Sequence, residues 1–302
     1  MSKILILGHG NLGQALARVY ADQKPIVWDK AELDITNANE ARQKITALKP
    51  NLIFNAAALT DTKAAETTLR AEALAVNATA VGNLAQIAKN LGATFVHFST
   101  DYVFDGRKKE GYTEIDIPKN PLNYYGFTKL EGERLMLRAY GLTHESIKYK
   151  VSSIKYPFYL VRTSWLFAKG TGFPFKILEL AKKQNEIKII NDQHGKPTYA
   201  PDLAAATRAL IDDQAPSGIY HLTNEPAMTW YDLAKLTLEI AISAGSDLAP
   251  TARSDPAVLN VLPVKTGAFP DPVKRPEWSV LHNAKRPPLR HIRDALAECV
   301  GN

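Results

Sequence analysis

The chain has 302 residues, of which 45% are hydrophobic and 23% are charged, and its formal net charge is +6. These proportions are ordinary for globular proteins and argue against a disordered or fibrous chain. The length predicts a main domain with a smaller companion. No stretch approaches the roughly 18 apolar residues of a membrane span, and the apolar run before Gly8 is too short for a signal peptide. We therefore expect a cytoplasmic protein without a membrane partner.

Charge and cysteine content narrow the choice of ligand. A positive net charge favours an anionic partner. Because the Lys and Arg residues are spread along the chain and no nucleic-acid motif occurs, we expect a phosphate-bearing small molecule and no nucleic acid. Cys299 is the single cysteine and the chain has no close pair of histidines, so we expect no metal site. A single cysteine also fits a reducing compartment.

Short apolar runs alternate with amphipathic stretches through the first half of the chain. The runs KILILG, PIVWD and NLIFNAAA precede helical patterns at 11–22, 39–48 and 69–91, and TFVHFS predicts a fourth strand at 94–99. This alternation is typical of βαβ units and a parallel sheet. We predict an α/β fold with a Rossmann-type doubly wound parallel sheet.

The second half of the chain is less regular. The segment 140–159 has no helical period and predicts a loop or hairpin, whereas YLVRTSWLF predicts a further strand. Helices are predicted at 175–183 and from the N-cap Thr229 to Ala244. Proline and glycine are more frequent beyond about residue 218, which predicts a smaller C-terminal α/β substrate domain. The predicted dinucleotide-binding domain covers 1–165 and about 196–217, and the substrate domain covers about 166–195 and 218–302.

The stretch GHGNLG places Gly8, Gly10 and Gly13 at the G-x-G-x-x-G spacing between a strand and a helix. Such glycines allow a tight turn and a close approach to a pyrophosphate, which the helix N-terminus binds. Asp29 ends the second strand, where an acid bonds the adenosine ribose of NAD, and Lys30 follows where a cation meets the extra phosphate of NADP. The loop predicts a dinucleotide and leaves NADH and NADPH both open. The alternative is that the glycines only make a tight turn.

Tyr125 and Lys129 lie four residues apart in YYGFTK, ahead of a helical stretch. Residues at this spacing share one helix face. A nearby ammonium lowers the pKa of a phenol from its usual value of about 10 and prepares it for proton transfer. We therefore predict that Lys129 lowers the pKa of Tyr125, the candidate general acid. The neighbouring Tyr124 has Thr128 in place of the lysine, and the alternative for the whole pair is a solvated helix face.

The fourth strand runs into FSTDYVFDG, so that Ser99, Thr100, Asp101 and Tyr102 follow a buried strand. Ligands of open α/β sheets bind outside the carboxyl ends of the strands, so we expect these side chains to be exposed at a ligand site. The Thr100 hydroxyl is the candidate to hydrogen-bond a substrate carbonyl while Tyr125 gives it a proton. The alternative role of Ser99 and Thr100 is to cap a turn.

Longer motifs resemble the extended short-chain dehydrogenase/reductases and, within them, the dTDP-4-dehydrorhamnose reductase family. These motifs are STDYVFDG, PLNYYGFTKLEGE, VRTSW, INDQHGKPTYAPDLA and KRPEWSVL. The resemblance covers nearly the whole chain. It implies reduction of the C4 ketone of dTDP-4-dehydro-L-rhamnose to dTDP-L-rhamnose, with NADPH or NADH as cofactor. It also implies a nucleotide-sugar partner and allows a homodimer.

The resemblance assigns roles to individual residues of this chain. Thr100, Tyr125 and Lys129 are the expected catalytic residues, and Lys129 is also expected to bond the nicotinamide ribose. The expected cofactor contacts are Gly8, Gly10, Asn11, Leu12, Gly13, Asp29, Lys30, Asp34, Ile35, Ala56, Ala57, Ala58, Asn77, Tyr125 and Lys129. The expected substrate contacts are Thr60, Asp101, Tyr102 and Trp165.

Three features depart from the family pattern. The family commonly spaces its glycines G-x-x-G-x-x-G, and this loop is one residue shorter before Gly10. The segment 140–159 is longer than expected. Thr62 and Lys63 stand where Val-Asp is expected, which replaces an acid by a base near the sugar site and keeps open the reduction of another nucleotide-linked keto sugar. A further alternative is a non-catalytic subunit that resembles the regulatory beta subunit of methionine adenosyltransferase.

Overall fold

The structure, a computed structural model, describes residues 3–147, 155–245 and 259–300. The strands of these ranges are β1 (Ile4–Leu7), β2 (Ile26–Trp28), β3 (Leu52–Asn55), β4 (Thr94–Thr100), β5 (Phe158–Thr163), β6 (Leu166–Phe167), β7 (Glu186–Ile190), β8 (His194–Gly195), β9 (Thr198–Tyr199), β10 (Gly218–His221), β11 (Met228–Thr229) and β12 (Asn260–Val264). Six of them form one sheet with the order β10-β5-β4-β3-β1-β2. Every neighbouring pair in this sheet is parallel.

The helices pack around this sheet. In the described ranges they are α1 (Asn11–Val19), α2 (Ala38–Leu48), α3 (Thr62–Glu66), α4 (Arg70–Leu74), α5 (Ala80–Leu91), α6 (Tyr124–Ala139), α7 (Phe173–Ala181), α8 (Ala200–Asp212), α9 (Trp230–Ser243) and α10 (Ile292–Val300). A π-helical turn at Ala75–Thr79 joins α4 to α5. α5 ends at Gly92, whose left-handed φ of +69° suits glycine. No helix in the described ranges is both long and apolar enough to cross a membrane.

Both faces of the sheet are covered by helices. Ile4 and Ile6 of β1 pack in a cluster with α1 and α8. Leu5 and Leu7 pack in a second cluster with α5, because successive side chains of a strand point to opposite faces. All four side chains of β1 are therefore buried, as expected for a parallel strand between two helical layers. The predicted Rossmann-type α/β class is confirmed.

A second group of elements packs beside the sheet. α7, β7 and α9 share an apolar cluster that contains Ile177, Ile187 and Leu238, and β7 pairs in parallel with β12. α10 packs against α9 through Leu296 and Ile240. These elements fall in the predicted substrate domain. On this basis we propose the division of the chain into a dinucleotide-binding domain and a substrate domain.

The predicted boundary between residues 217 and 218 needs correction. β10 belongs to the large sheet, where Ile219 lies opposite Leu160 of β5. Proline and glycine become frequent near this point, at Pro216 and Gly218, and they suggested a boundary. A strand of four residues carries too short a pattern to outweigh that signal. The proposed dinucleotide-binding domain therefore includes β10.

The segment 140–159 is described only in part. Residues 148–154 lie outside the described residues, so the prediction of a loop or hairpin is untested there. Leu142 and Ile147 are buried in the cluster that contains α5. His144 Nε2 lies 2.7 Å from Glu133 Oε2. These contacts tie the start of the segment to α6 and to the sheet core.

Candidate active site

A cleft of about 1300 Å³ runs along the carboxyl ends of the central sheet. β1 lies between β2 and β3, so the strand order reverses there, and open α/β sheets bind ligands at such a point. The predicted site residues that line the cleft are Gly8, Gly10, Asn11, Leu12, Asp29, Lys30, Asp34, Ile35, Ala56, Ala57, Ala58, Thr60, Thr100, Asp101, Tyr102, Tyr125, Lys129 and Trp165. The two other predicted residues, Gly13 and Asn77, do not line it.

Each glycine of the loop has a different environment. Gly8 has a φ of +96°, and a Cβ there would lie 2.8 Å from the backbone nitrogen of Ala57. A Cβ at Gly13 would lie 2.0 Å from the carbonyl oxygen of Gly8, so this glycine lets α1 pack against the loop. A Cβ at Gly10 would have no other atom within 4 Å. Open space at the N-terminus of α1, with its free N–H groups, suits a phosphate.

Asn77 is fully buried and has a supporting role. Its Oδ1 accepts a hydrogen bond from Leu59 N at 2.9 Å, and its Nδ2 donates to Leu59 O at 3.0 Å and to Thr128 Oγ1 at 3.2 Å. The side chain thus joins the segment after β3 to α6. Asn77 thereby holds two walls of the cleft together, and its predicted contact with the cofactor stays a prediction.

The end of the cleft beside β2 is mainly acidic. Asp29, Asp34 and Glu72 line it together with Lys30. Lys30 Nζ lies 3.2 Å from Glu72 Oε1, and this hydrogen bond raises the pKa of the lysine. The cation expected to meet an NADP phosphate is therefore ion-paired with a carboxylate. No group of three or more His, Cys, Asp or Glu side chains in the described ranges is arranged to hold a metal ion.

The side chains at the end of β4 are buried, which corrects the expectation that they are exposed. Ser99, Thr100 and Asp101 have exposed fractions of 4%, 8% and 2%, although all three line the cleft. Thr100 Oγ1 accepts a hydrogen bond from Tyr102 N at 3.2 Å and donates to Asp101 Oδ1 at 2.9 Å. Thr100 therefore does cap the turn that follows β4, in addition to facing the cleft.

Asp101 is buried because residues from other parts of the chain cover it. Burial raises the pKa of its carboxyl to about 6, while hydroxyls of Ser279, Thr100 and Ser164 act to lower it. Ser164 follows β5, and Ser279 comes from the C-terminal part of the chain. A sequence pattern limited to β4 does not contain these neighbours, which is why exposure was expected.

α6 places Tyr125 and Lys129 together on the cleft. The helix begins at Tyr124, and the side chain of its N-cap, Asn123, accepts a hydrogen bond from Gly126 N at 2.9 Å. Short polar side chains such as Asn, Asp, Ser and Thr are preferred at this position because they satisfy a free N–H of the first turn. The cap thus fixes the start of α6 and with it the direction in which the tyrosine and the lysine point.

The predicted effect of Lys129 on Tyr125 is wrong in this structure. Burial and the Asp101 carboxylate raise the pKa of Tyr125, and the hydroxyl of Thr100 acts to lower it. The Lys129 ammonium donates instead to the carbonyl oxygen of Phe98 at 2.7 Å. Its own pKa is lowered to about 8 by burial. Tyr125 is therefore a protonated phenol at neutral pH, and it interacts with the hydroxyl of Thr100.

Several buried polar atoms of the cleft have no hydrogen-bond partner among the described residues. They include Asn55 Oδ1, Ser99 Oγ and Thr163 Oγ1, from the ends of β3, β4 and β5, and all three residues line the cleft. A buried polar group without a partner costs about 1–3 kcal/mol, and native proteins satisfy most such groups. A ligand rich in hydroxyl and amide groups along this edge would supply partners for the Ser99 and Thr163 hydroxyls.

Two tryptophans form part of the opposite wall. Trp165 stacks on Trp230 with ring centroids 3.5 Å apart, and its backbone has a φ of +45°. A Cβ at Gly195 would lie 2.5 Å from the Trp165 ring, so glycine leaves room for it there. Trp230 was missed because it begins an amphipathic helix, where a tryptophan is usually a core residue.

Basic side chains also line the cleft, and four of them are Lys63, Lys176, Lys188 and Arg275. Arg275 Nη1 donates to the Tyr102 hydroxyl at 3.2 Å. Arg275 belongs to the KRPEWSVL motif, so the motif could have been used to predict it as a site residue. Lys176 and Lys188 were missed because they lie in ordinary helix and strand patterns, and only the tertiary fold brings them to the cleft.

These features together define the class of protein. A doubly wound parallel sheet carries a glycine loop after its first strand, and the helix after its fourth strand carries Tyr-x-x-x-Lys facing the same cleft. This is the arrangement of a short-chain dehydrogenase/reductase of the extended type.

Comparison with known proteins gives the family. The chain matches the family described as RmlD substrate binding domain over residues 2–301. It is 36% identical over 295 residues to dTDP-4-dehydrorhamnose reductase of Aggregatibacter actinomycetemcomitans, covering 94% of this chain and 92% of the relative. It is 37% identical over 294 residues to the reductase of Burkholderia thailandensis, covering 93% and 90%. The chain therefore belongs to the dTDP-4-dehydrorhamnose reductase family of oxidoreductases, and the resemblance inferred from its motifs is confirmed.

Solved structures agree with this assignment. The dTDP-4-dehydrorhamnose reductase of Bacillus anthracis, in complex with NADP, has a TM-score of 0.83 at 29% identity, with 99% of both chains covered. A dTDP-4-dehydrorhamnose reductase of Clostridium acetobutylicum has the same TM-score of 0.83 at 34% identity, with 99% of this chain and 98% of that chain covered. The similarity thus extends over both proposed domains.

Proposed function

We propose that this protein reduces the C4 ketone of dTDP-4-dehydro-L-rhamnose to dTDP-L-rhamnose with NADH or NADPH. The observation that carries the proposal is that Thr100, Tyr125 and Lys129 face the same cleft as the glycine loop. The names of the relatives and the NADP in the Bacillus anthracis structure support it.

The residues of the cleft fit a nicotinamide dinucleotide. Gly10 and the N-terminus of α1 offer space and N–H groups for a pyrophosphate. The unpartnered atoms of Ser99 and Thr163 are suitable partners for ribose hydroxyl or amide groups. Lys129 is the expected partner of the nicotinamide ribose. When it is bound, a reduced dinucleotide supplies the hydride.

The protein itself has to deliver one proton to the ketone oxygen. Tyr125 Oη holds that proton at neutral pH, since the pKa of a phenol is about 10 and burial raises it further here, and a general acid has to be protonated before the step begins. Thr100 Oγ1 is the candidate to donate a hydrogen bond to the same oxygen, for which its single proton has to turn away from Asp101 Oδ1, its acceptor in this structure. Lys129, on the same helix face, is assigned to the nicotinamide ribose and not to lowering the pKa of Tyr125, which burial and Asp101 raise. A lysine with a pKa of about 8 is mostly charged at pH 7.

The rest of the cleft suits an anionic sugar nucleotide. Lys63, Lys176, Lys188 and Arg275 line the cleft, and their positive charges would attract a diphosphate. Trp165 and Trp230 provide an apolar surface for a sugar or a base. Lys63, which stands where the family pattern has an acid, also lines the cleft. Another nucleotide-linked keto sugar therefore remains an alternative substrate, and a panel of such sugars tests it.

The test is oxidation of NADH and NADPH with dTDP-4-dehydro-L-rhamnose generated in place by the upstream enzymes. We expect turnover, and we expect Tyr125→Phe to lose about 10² to 10⁴ in rate while it still binds dinucleotide. The matched control is Tyr124→Phe, since Tyr124 stacks on Phe127 with centroids 5.5 Å apart and should retain activity. Near-normal turnover in Tyr125→Phe would remove the general acid from the proposal. Dinucleotide binding without turnover on any keto sugar of the panel would favour the regulatory-subunit alternative.

A further inference from the structure

His97 is a fully buried side chain that the proposed reaction does not use. It lies on β4, opposite Asn55 of β3. Its Nε2 is 3.5 Å from Lys129 Nζ, and its Nδ1 is 3.2 Å from the side-chain amide of Asn55. The ring therefore lies between the catalytic lysine and the end of a neighbouring strand.

Lys129 needs acceptors at this place because it is almost completely buried. Its exposed fraction is 2%, and an ammonium has three N–H donors. The Phe98 carbonyl, at 2.7 Å, takes one of them. A buried charge is costly unless its hydrogen bonds are made. His97 Nε2 is the further acceptor that the described residues offer within hydrogen-bond distance.

His97 stays neutral, so it acts on Lys129 as an acceptor and not as a second charge. Burial and the nearby Lys129 ammonium lower the pKa of His97 well below its usual 6.5, and the opposing effects of Glu133 and the Asn55 backbone are smaller. The charged groups that face the pair are therefore Lys129 and Glu133, both on α6. Glu133 also raises the pKa of Lys129.

An acceptor at Nε2 requires the proton to be on Nδ1. Asn55 supplies partners for that proton. Its backbone carbonyl raises the pKa of His97, as an acceptor for a ring N–H does. Its Oδ1 is buried and has no partner among the described residues. Rotation of the Asn55 amide by a half-turn would bring Oδ1 to the position from which Nδ2 now faces Nδ1.

We propose that His97 is a positioning residue for Lys129: Asn55 fixes its tautomer, and its Nε2 accepts a hydrogen bond that keeps the lysine charged and pointed into the cleft. This role rests on the proposed reductase function as far as turnover is concerned. The hydrogen bond itself does not depend on that function and is measured separately.

The first test follows the side chains by NMR in the full-length protein. Lysines labelled at 13Cε are titrated, and the Lys129 signal is the one that disappears in Lys129→Arg. We expect the wild-type signal to titrate near pH 8. His97→Phe removes the acceptor, so the titration should move down by about one to two units. His97→Gln should restore it, because the Gln Oε1 reaches the position of Nε2.

The matched control is Thr207→Val, which removes another fully buried polar group. Thr207 Oγ1 donates only to Leu203 O of its own helix at 2.7 Å, so the Lys129 titration should not move. An unchanged titration in His97→Phe, or an equal change in the control, would overturn the proposal. If His97→Phe does not fold, 15N spectra of the wild-type histidines decide. The Nδ1–H tautomer of His97 supports the proposal, and the Nε2–H tautomer overturns it.

The kinetic test is the pH profile of kcat/KM for ketone reduction. Activity that needs the ammonium falls as pH rises through the pKa of Lys129, so this alkaline limb should move to lower pH in His97→Phe by the same amount as the NMR titration. His97→Gln should return it. A moved NMR titration in a protein without turnover would uphold the positioning role and reject the proposed function. A moved limb without a moved titration would reject the positioning role.

Discussion

Glu133 and Arg162 form an ion pair in which neither side chain has exposed surface. Arg162 Nη2 lies 2.7 Å from Oε2 of Glu133 and Arg162 Nε lies 2.9 Å from Oε1. The pair joins α6, one turn after Lys129, to β5. Although burial alone would raise the pKa of Glu133, Arg162 and His144 lower it overall. The helix that carries the proposed catalytic pair is thus fixed to the sheet by a buried, ionised contact.

Glu133→Gln is expected to lower the free energy of unfolding by about 3–5 kcal/mol, because it leaves the Arg162 charge buried without its counter-ion. The control is Glu131→Gln on the same helix. Glu131 pairs with Arg134, whose side chain is 48% exposed, and loss of such a surface pair costs about 0–1 kcal/mol. Urea unfolding at pH 7 measures both. Equal losses in the two variants would show that the buried pair has no special contribution.

Asp101 is expected to make stability fall as pH rises. Burial raises its folded pKa to about 6 from 3.8, so between these values the folded state binds more protons than the unfolded state, and the free energy of unfolding decreases with pH. Asp101→Asn should therefore be more stable than the wild type above pH 6, by up to about 3 kcal/mol, and similar to it near pH 4. Thermal unfolding between pH 4 and 7 tests this. A constant difference across that range would contradict it.

Alanine substitutions at Gly10 and Gly13 should affect cofactor binding and stability differently. Gly13→Ala places a Cβ 2.0 Å from the Gly8 carbonyl oxygen, so it should lower stability by about 1–3 kcal/mol and weaken dinucleotide binding as well. Gly10→Ala meets nothing within 4 Å and should change stability by less than about 0.5 kcal/mol, while its methyl group occupies the space proposed for the pyrophosphate. Calorimetric NADH titration and thermal unfolding measure the two effects. Equal destabilisation by both variants would refute this difference.

The sequence predicted those parts of the fold that depend on local pattern. β1 is a continuous apolar run, β4 contains the apolar residues Phe95, Val96 and Phe98, and the glycine loop and α6 carry recognisable sequence motifs. The burial that comes from tertiary packing was not predicted. The Asp101 carboxylate is covered by hydroxyls from distant segments, and the pKa of Tyr125 is raised by burial and by the Asp101 carboxylate. Neither effect can be predicted from the spacing of residues within one segment of the sequence.

The substrate end of the site was the least predictable part. Trp165 could be named from its motif, but its stacking partner Trp230 lies on a helix that begins 65 positions later. Lys176 and Lys188 reach the cleft only because α7 and β7 pack beside the sheet. When a binding surface is assembled from separate elements, no single element shows a sequence pattern that predicts it. Tyr125 and Lys129, in contrast, lie on one helix at a spacing that can be recognised from the sequence.

The ion pair between Lys30 and Glu72 should influence the choice between NADH and NADPH. Lys30 follows Asp29 at the expected ribose site, but its Nζ lies 3.2 Å from Glu72 Oε1. Glu72→Gln removes this competitor and one negative charge from the β2 end of the cleft. The ratio of kcat/KM for NADPH to that for NADH should rise about two- to fivefold, as expected for a partly exposed charge interaction.

The control for this change is Glu40→Gln, which also loses an ion pair, to Lys44 at 2.7 Å, but at a distance from the cleft lining. It should leave the cofactor ratio unchanged. The effect of Glu72→Gln should shrink in high salt, since exposed charges are screened there. A ratio that does not change at low salt would mean that Lys30 does not face the 2′-phosphate, and the selectivity would then rest on Asp29, which remains in place in both variants.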